Sequence, residues 1–159
     1  MNKTLLETVK LKKTYDHKNG IINLFDNVNI KIKRGDLVAL VGPSGSGKSS
    51  FLHLLALLDD PTKGKILLKN KDTKNFSDEE KDQARRKNIS IIFQDNNLLT
   101  DFTALENVIM PLIIKGEKTN TSIVKAERIL KDMKILNRIN HFPTELSGGE
   151  QQRVAIARA

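Results

Sequence analysis

The sequence predicts an α/β protein with a mainly parallel sheet, and three observations lead to that class. Segments of strand length alternate along the chain with segments of helical periodicity. Residues 37–41 are apolar without interruption, as expected of a strand that is buried on both faces. A glycine-rich loop at residues 42–47 follows this strand directly and leads into an apolar helix.

The other elements follow from local signals of the same kind. Val28, Ile30 and Ile32 alternate with polar residues, which is the period of a half-buried strand. Ser77 and Glu80 have the spacing of a capping box, which marks the start of a helix. The predicted strands are 5–11, 28–33, 37–41, 66–68 and 89–93. The predicted helices are 49–58, 77–86, 104–114 and 123–136, and Pro111 is expected to kink or end the third of them.

The composition excludes several classes of protein. Hydrophobic residues make up 38% and charged residues 29% of the 159 residues, which fits a soluble globular chain rather than a disordered or membrane-embedded one. There is no cysteine, so neither a disulfide framework nor a thiolate metal site can form. The first 13 residues lack the apolar core of a signal peptide, and the apolar segments near 51–58 and 108–114 are too short to cross a bilayer. We therefore expect a cytoplasmic protein.

The net charge of +8 raises the question of a nucleic-acid partner. The basic residues are scattered along the chain without a long block, and lysine greatly outnumbers arginine. Aromatic residues are only 4% of the chain and tryptophan is absent, so stacking platforms for single strands are scarce. We expect no nucleic-acid partner.

The phosphate loop, residues 42–49, carries the sharpest local motif. It matches G-x-x-x-x-G-K-[ST] in full, between a predicted strand and a predicted helix. Glycines let backbone N–H groups approach phosphate oxygens, and the helix that follows adds its N-terminal dipole. Lys48 can reach the β- and γ-phosphates, and the Ser49 hydroxyl can bind Mg²⁺. A flexible linker would match this spacing only by accident. The loop residues are Gly42, Pro43, Ser44, Gly45, Ser46, Gly47, Lys48 and Ser49.

A second constellation, the signature segment, lies at residues 146–153 and reads Leu-Ser-Gly-Gly-Glu-Gln-Gln-Arg. Ser147 is a good N-cap, and Glu150 completes a second capping box. Gly148 and Gly149 leave backbone N–H groups open at the start of a helix, which makes a second anion site. A well-capped helix without any ligand is the alternative explanation of these residues.

The whole string resembles the LSGGQ-type signature of ATP-binding-cassette (ABC) ATPases, with Glu150 in the final position. The resemblance implies a cassette core with a mainly parallel sheet, an N-terminal antiparallel β portion and a helical subdomain. It also implies ATP and Mg²⁺ as cofactors. In that family two subunits form a head-to-tail dimer, in which the signature of one closes over the γ-phosphate held by the other. Transmembrane permease subunits are the further partners that the resemblance implies.

Further residues take roles from the same resemblance. Tyr15 lies where the family carries an aromatic residue that stacks on adenine, although an ordinary surface tyrosine is the alternative. Gln94 matches the glutamine of the family's Q-loop, which touches Mg²⁺ and the attacking water. Ser50 stands where threonine is common. The implied nucleotide-binding residues are therefore Tyr15, the phosphate loop with Ser50, and Ser147, Gly148, Gly149 and Glu150; Lys48 and Gln94 are the implied catalytic residues, and Ser49 and Gln94 the implied metal ligands.

The segments 101–108, 110–112 and 142–146 narrow the resemblance to one branch of the family. That branch holds the lipoprotein-releasing (LolD-type), MacB-type efflux and FtsE-type cell-division ATPases. These segments resemble the lipoprotein-releasing type most. The expected function is therefore ATP hydrolysis that drives lipoprotein release at the cytoplasmic face of the inner membrane. Efflux and cell division remain the alternatives, as does a nucleic-acid-linked ABC protein, which would usually show two cassettes or long insertions.

The family's motifs beyond the signature have no counterpart in this sequence. They comprise an aspartate that orders Mg²⁺, a catalytic glutamate and a switch histidine; His17, His53 and His141 do not lie at a matching place. We expect one ATP-binding domain over residues 1–159, incomplete at its C-terminus, with the Q-loop and helical subdomain at about 95–145. We also expect negligible ATP hydrolysis by this polypeptide, and a non-catalytic truncated remnant is the alternative.

Overall fold

A computed structural model describes residues 3–18 and 20–159. The chain divides into two compact units, Met1–Arg85 and Arg86–Ala159. The first unit carries the described β-structure, and the second is helical.

The first unit is built on an antiparallel sheet with the strand order β2-β1-β3-β4. Its strands are β1 (Thr4–His17), β2 (Gly20–Lys33), β3 (Lys63–Leu68) and β4 (Lys71–Asp72). The long strands β1 and β2 pair with several register shifts, and β1 pairs with β3 on its other edge. Leu11 and Ile66 are almost fully buried, so apolar burial fixes the register of the central strands.

The helix α1 (Lys48–Leu55) lies in the first unit, and α2 (Asp78–Asn88) begins in it and continues past its last residue, Arg85. The Phe51 ring of α1 meets the Phe25 ring of β2 edge to face, with centroids 5.5 Å apart, and Leu54 is fully buried. At the start of α2 the Ser77 N–H donates to a Glu80 carboxylate oxygen at 2.9 Å, and the Glu80 N–H donates to Ser77 Oγ at 3.3 Å. The predicted capping box at this helix is therefore confirmed.

The second unit packs three helices, α3 (Ala104–Ile114), α4 (Thr119–Asp132) and α5 (Gly148–Arg158), around one apolar core. Val108, Leu130 and Val154, one from each helix, are almost fully buried in it. Pro111 lies inside α3 without ending it. The helix α4 ends earlier than predicted, because Lys134 adopts a left-handed conformation just after it. Single 3₁₀ turns lie at Leu136–Arg138 and Pro143–Glu145.

Two predicted strands are absent, which corrects the sequence analysis in detail. Residues 37–41 and 89–93 form no strand, and every strand pair in the described ranges 3–18 and 20–159 is antiparallel. Leu37 and Val41 are 101% and 85% exposed. The segments are apolar as predicted, but a strand also needs a hydrogen-bonded neighbour, and no described strand pairs with either segment. The helix α1 also ends before residue 58, since Leu57 is left-handed.

We predict that the isolated polypeptide self-associates through residues 37–41. Residues 38–41 line an apolar cavity of about 460 Å³ together with Ile30, Phe51 and Leu52, and Leu37 beside them is fully exposed. An exposed apolar surface of this kind promotes association. Replacing Leu37 with lysine should reduce the sedimentation coefficient measured by analytical ultracentrifugation. The control Val124→Lys alters a residue that is 67% exposed on α4 and should leave association unchanged. A monodisperse monomer of the unmodified chain contradicts the prediction.

We also predict that Gly64→Ala destabilises the first unit. Gly64 has φ +88°, and a Cβ there would lie 2.3 Å from the Lys10 carbonyl oxygen. Gly35 is a matched control, because its φ is +90° and nothing lies within 4 Å of its virtual Cβ. Each alanine variant should lose about 1–2 kcal/mol of unfolding free energy because of the left-handed backbone. Overpacking should add about 1–3 kcal/mol at Gly64 alone, measured by pulse proteolysis in urea at low protein concentration. Equal losses at the two positions rule out the clash.

Candidate functional site

The phosphate loop leads into α1 through Gly47, which is the N-cap of that helix with φ 84°. A Cβ at Gly47 would lie 3.2 Å from side-chain atoms of both Leu24 and Phe25, which belong to β2. A Cβ at Gly42 would lie 2.9 Å from Ser46 Oγ. A side chain at Gly47 would therefore require Leu24 and Phe25 to shift, and one at Gly42 would require the Ser46 hydroxyl to move.

The ammonium of Lys48 lies inside the loop that precedes it. Its Nζ donates to the carbonyl oxygens of Gly42 at 2.9 Å and Pro43 at 2.7 Å. The first hydrogen bond of α1 runs from the Phe51 N–H to the Gly47 carbonyl, so the preceding N–H groups of the helix have no partner within it. Ser49 is exposed beside them. Backbone donors, an ammonium and a hydroxyl thus meet at one helix start, which fits a polyphosphate and Mg²⁺ chemically.

Tyr15 is fixed in place by its neighbours in the first unit. Its hydroxyl donates to a carboxylate oxygen of Asp59 at 2.8 Å, and the Lys13 ammonium lies 4.6 Å from the centre of its ring. The same ammonium donates to the other Asp59 oxygen at 2.7 Å. Burial alone would raise the pKa of Asp59, but the hydrogen bonds from Lys13 and Tyr15 outweigh it and hold that pKa below its usual range. The ring is held rigidly and stays 41% exposed.

The signature segment forms the start of α5 with the predicted capping box. The Ser147 N–H and hydroxyl both lie 2.8 Å from Glu150 Oε2, and the Glu150 N–H donates back to Ser147 Oγ at 3.4 Å. Arg138 Nε donates to the other Glu150 oxygen at 3.2 Å. Hydrogen bonds from the Ser147 backbone and side chain, followed by the one from Arg138, lower the pKa of Glu150 to about 2. Gly148 and Gly149 remain exposed on the first turn of the helix.

Gln94 is exposed in a turn, and the segment after it is held by the far end of α5. Asn96 and Asn97 are both left-handed, with φ 58° and 45°. The Arg158 guanidinium donates to their carbonyl oxygens at 2.8 Å and 2.6 Å. The helix α5 therefore carries the signature at its start and hydrogen-bonds the segment after Gln94 at its end.

Sequence reasoning missed two residues of this arrangement, Arg138 and Arg158. Their hydrogen-bond partners lie 12 and about 60 residues away along the chain, so no local sequence pattern predicts these contacts. The structure places Tyr15 and the phosphate loop in the first unit, and Gln94 and the signature segment in the second. The roles of these residues toward a nucleotide stay predictions.

The profile of the ABC transporter family matches residues 25–159, which is most of the sequence. The chain belongs to the ABC transporter family. One solved structure, the dimeric structure of a bacterial ABC transporter cassette, is 41% identical in sequence to this chain and superposes on it with a TM-score of 0.91. The match covers 97% of this chain and 68% of the cassette chain. The same cassette in a post-hydrolysis state bound to ADP and Pi gives the same values. The expected ABC cassette fold is thereby confirmed, although residues 37–41 and 89–93 form no strands.

Curated relatives within this ABC family point to one branch. The lipoprotein-releasing system ATP-binding protein LolD of Rickettsia typhi is 43% identical over 159 residues, covering 100% of this chain and 70% of its own length. LolD of Legionella pneumophila (strain Lens) is 42% identical with the same coverage. LolD of Xylella fastidiosa is 40% identical over 155 residues, covering 98% of this chain and 65% of its own. The chain thus spans about two thirds of the length of these relatives.

The low pKa of Glu150 predicts how the signature cap responds to acid. Since the pKa falls from 4.5 to about 2 on folding, the carboxylate stabilises the folded state fully above pH 4.5. This contribution should disappear as the pH drops from 4.5 toward 2. The measurement is the difference in unfolding free energy between the unmodified chain and Glu150→Gln across that range. A difference that stays constant down to pH 2 contradicts the prediction.

Proposed function

We propose that this chain is an ATP-binding subunit of an ABC transporter that holds Mg²⁺·ATP on the phosphate loop. The observation that carries the proposal is the loop itself, in which Gly47 and Lys48 bring helix N–H groups and an ammonium to one point. Lys48 exchanges its bonds to the loop carbonyls for bonds to the β- and γ-phosphates. Ser49 supplies a ligand to Mg²⁺, and the exposed ring of Tyr15 stacks on adenine.

The signature segment acts on the nucleotide of a second copy of the chain. Ser147 and Glu150 bond each other, so the exposed N–H groups of Gly148 and Gly149 remain available to a γ-phosphate. A lone phosphate loop leaves the outer face of that phosphate in water, and a partner's helix start covers it with donors. The cassette structure that is 41% identical to this chain is dimeric, which supports a dimer, and we propose that its two subunits pair head to tail.

The whole protein hydrolyses ATP to move membrane subunits, and lipoprotein release is the work we propose for it. The LolD names of the relatives support this cargo over efflux or cell division. In the described ranges 3–18 and 20–159, no helix is both long and apolar enough to pass through a bilayer. We place the subunit at the cytoplasmic face of the inner membrane, bound to permease subunits, with Gln94 linking them to the site.

Nucleotide binding by the 159-residue polypeptide tests the proposal without requiring turnover. Lys48→Ala should weaken binding of fluorescent ATP at least about tenfold, because a charge-assisted contact to two phosphates is lost. Lys115→Ala alters an exposed lysine of the second unit and should leave the affinity unchanged. Equal affinities for the two variants would overturn the assignment of the loop.

A further inference from the structure

A second, polar pocket of about 470 Å³ lies in the first unit, away from the phosphate loop. It is formed by the turn that leads into β3, by β3 itself, by the 3₁₀ turn Thr73–Asn75 that follows β4, and by α2. Four of its lining residues are lysines and one is an acid. The polar lining residues are Asp60, Thr62, Lys63, Lys65, Thr73, Lys74 and Lys81. We call it the lysine pocket.

The charges of the lysine pocket are only partly compensated. Lys81 Nζ lies 3.0 Å and 3.3 Å from the two carboxylate oxygens of Asp60. Lys65 Nζ is 3.7 Å from the nearer Asp72 oxygen, which is beyond ordinary hydrogen-bond distance. No ion pair within 4 Å holds Lys63 or Lys74 in the part of the chain that the structure describes. The pocket therefore carries an excess of positive charge.

The backbone that carries these lysines is fixed by short contacts. Gly64 lies against β1, where the Lys10 carbonyl leaves no space for a Cβ. The Thr62 N–H donates to the Lys12 carbonyl at 2.9 Å, which holds the entering turn. The Thr73 hydroxyl, which is buried, donates to the Ile66 carbonyl at 3.0 Å and fastens the 3₁₀ turn to β3.

The lysines converge because of this backbone. Lys63 and Lys65 flank Gly64 at the start of β3, and both line the pocket. Lys74 comes from the 3₁₀ turn, and Lys81 comes from the first half of α2. Side chains from three separate elements thus surround one concavity whose walls are in place before any ligand binds.

We propose that the lysine pocket binds the phosphate group of a small phosphate ester. Lysine ammonium groups are compact point charges with three donors each, which suits the several oxygens of a phosphate dianion. The volume of about 470 Å³ is that of a small-molecule site, which leaves room for an organic or second phosphoryl part beside the phosphate. The lining holds no aromatic residue on which a base could stack. The phosphate is carried either by a soluble ester or by a lipid headgroup.

Lysine acetylation, read residue by residue with mass spectrometry, tests the proposal on the full chain. The probes are inorganic pyrophosphate, glycerol 3-phosphate, and phosphatidylcholine vesicles with or without phosphatidylglycerol. We expect a ligand to slow acetylation of Lys63 and Lys74 at least about threefold, and added salt to reverse the effect. Lys115 and Lys131, which are exposed in the second unit, are internal controls and should not change.

The pattern of protection decides between the sources. Protection by glycerol 3-phosphate or pyrophosphate supports a soluble ester, and protection only by the anionic vesicles supports a headgroup. Absence of protection with every probe overturns the proposal. Equal slowing at Lys115 and Lys131 also overturns it, because it would show only diffuse attraction to a basic protein.

A double variant provides the second test. In Lys63→Gln/Lys74→Gln the protection of the remaining pocket residues Lys65 and Lys81 should fall to less than about a third. The matched variant Lys115→Gln/Lys131→Gln has the same net charge and should keep the protection of Lys65 and Lys81. Protection that is unchanged in both double variants overturns the proposal. Lys48 reports the phosphate loop in the same samples when Mg²⁺·ATP is added. Failure of the proposed function would therefore appear at Lys48, separately from failure of the lysine pocket.

Discussion

The close packing of Gly47 against β2 determines most of what the first unit presents to solvent. Its left-handed backbone starts α1 at Lys48, and a side chain at this position would crowd Leu24 and Phe25. The direction of the helix, the place of the ammonium and the set of unbonded N–H groups all follow from that start. The edge-to-face contact between Phe25 and Phe51 then fixes the helix to the same strand. One backbone contact with the sheet thus orients the whole loop.

Local chemistry was readable from the sequence because it involves residues three or four apart. The capping boxes at Ser77 and Ser147 formed as predicted, and Thr103 with Glu106 forms another that the same pattern identifies. Residues 37–41 and 89–93 show the limit of this reasoning. Their apolar character is local, but a strand exists only through bonds to a neighbour, and nothing within five residues specifies that neighbour. Arg138 and Arg158 escaped prediction for the same reason, since their partners are distant in sequence.

The helix α5 gives the second unit its internal organisation. Its 11 residues extend over about 16 Å, with the signature at the start and Arg158 at the end. Val154, Ala155 and Ala157 are buried between these ends, so the helix is held along its length by the core. A rigid element fixed at both ends transmits a displacement of one end to the other. One helix thus hydrogen-bonds the turn at Asn96 and Asn97 at its end and carries the glycines of the signature at its start.

The position of Lys48 has a consequence for how selective the phosphate loop can be. Its ammonium already has two carbonyl acceptors, so the loop keeps its shape through its own side chain and needs little ordering by a ligand. The binding free energy that Lys48 contributes is only the difference between its hydrogen bonds to the ligand oxygens and its hydrogen bonds to those carbonyls. A neutral or singly charged oxygen would gain little in that competition, whereas the multiply charged phosphoryl chain that we propose as the ligand would replace both acceptors with charge-assisted bonds. The carbonyl oxygens that already accept from Lys48 thus disfavour weakly charged anions.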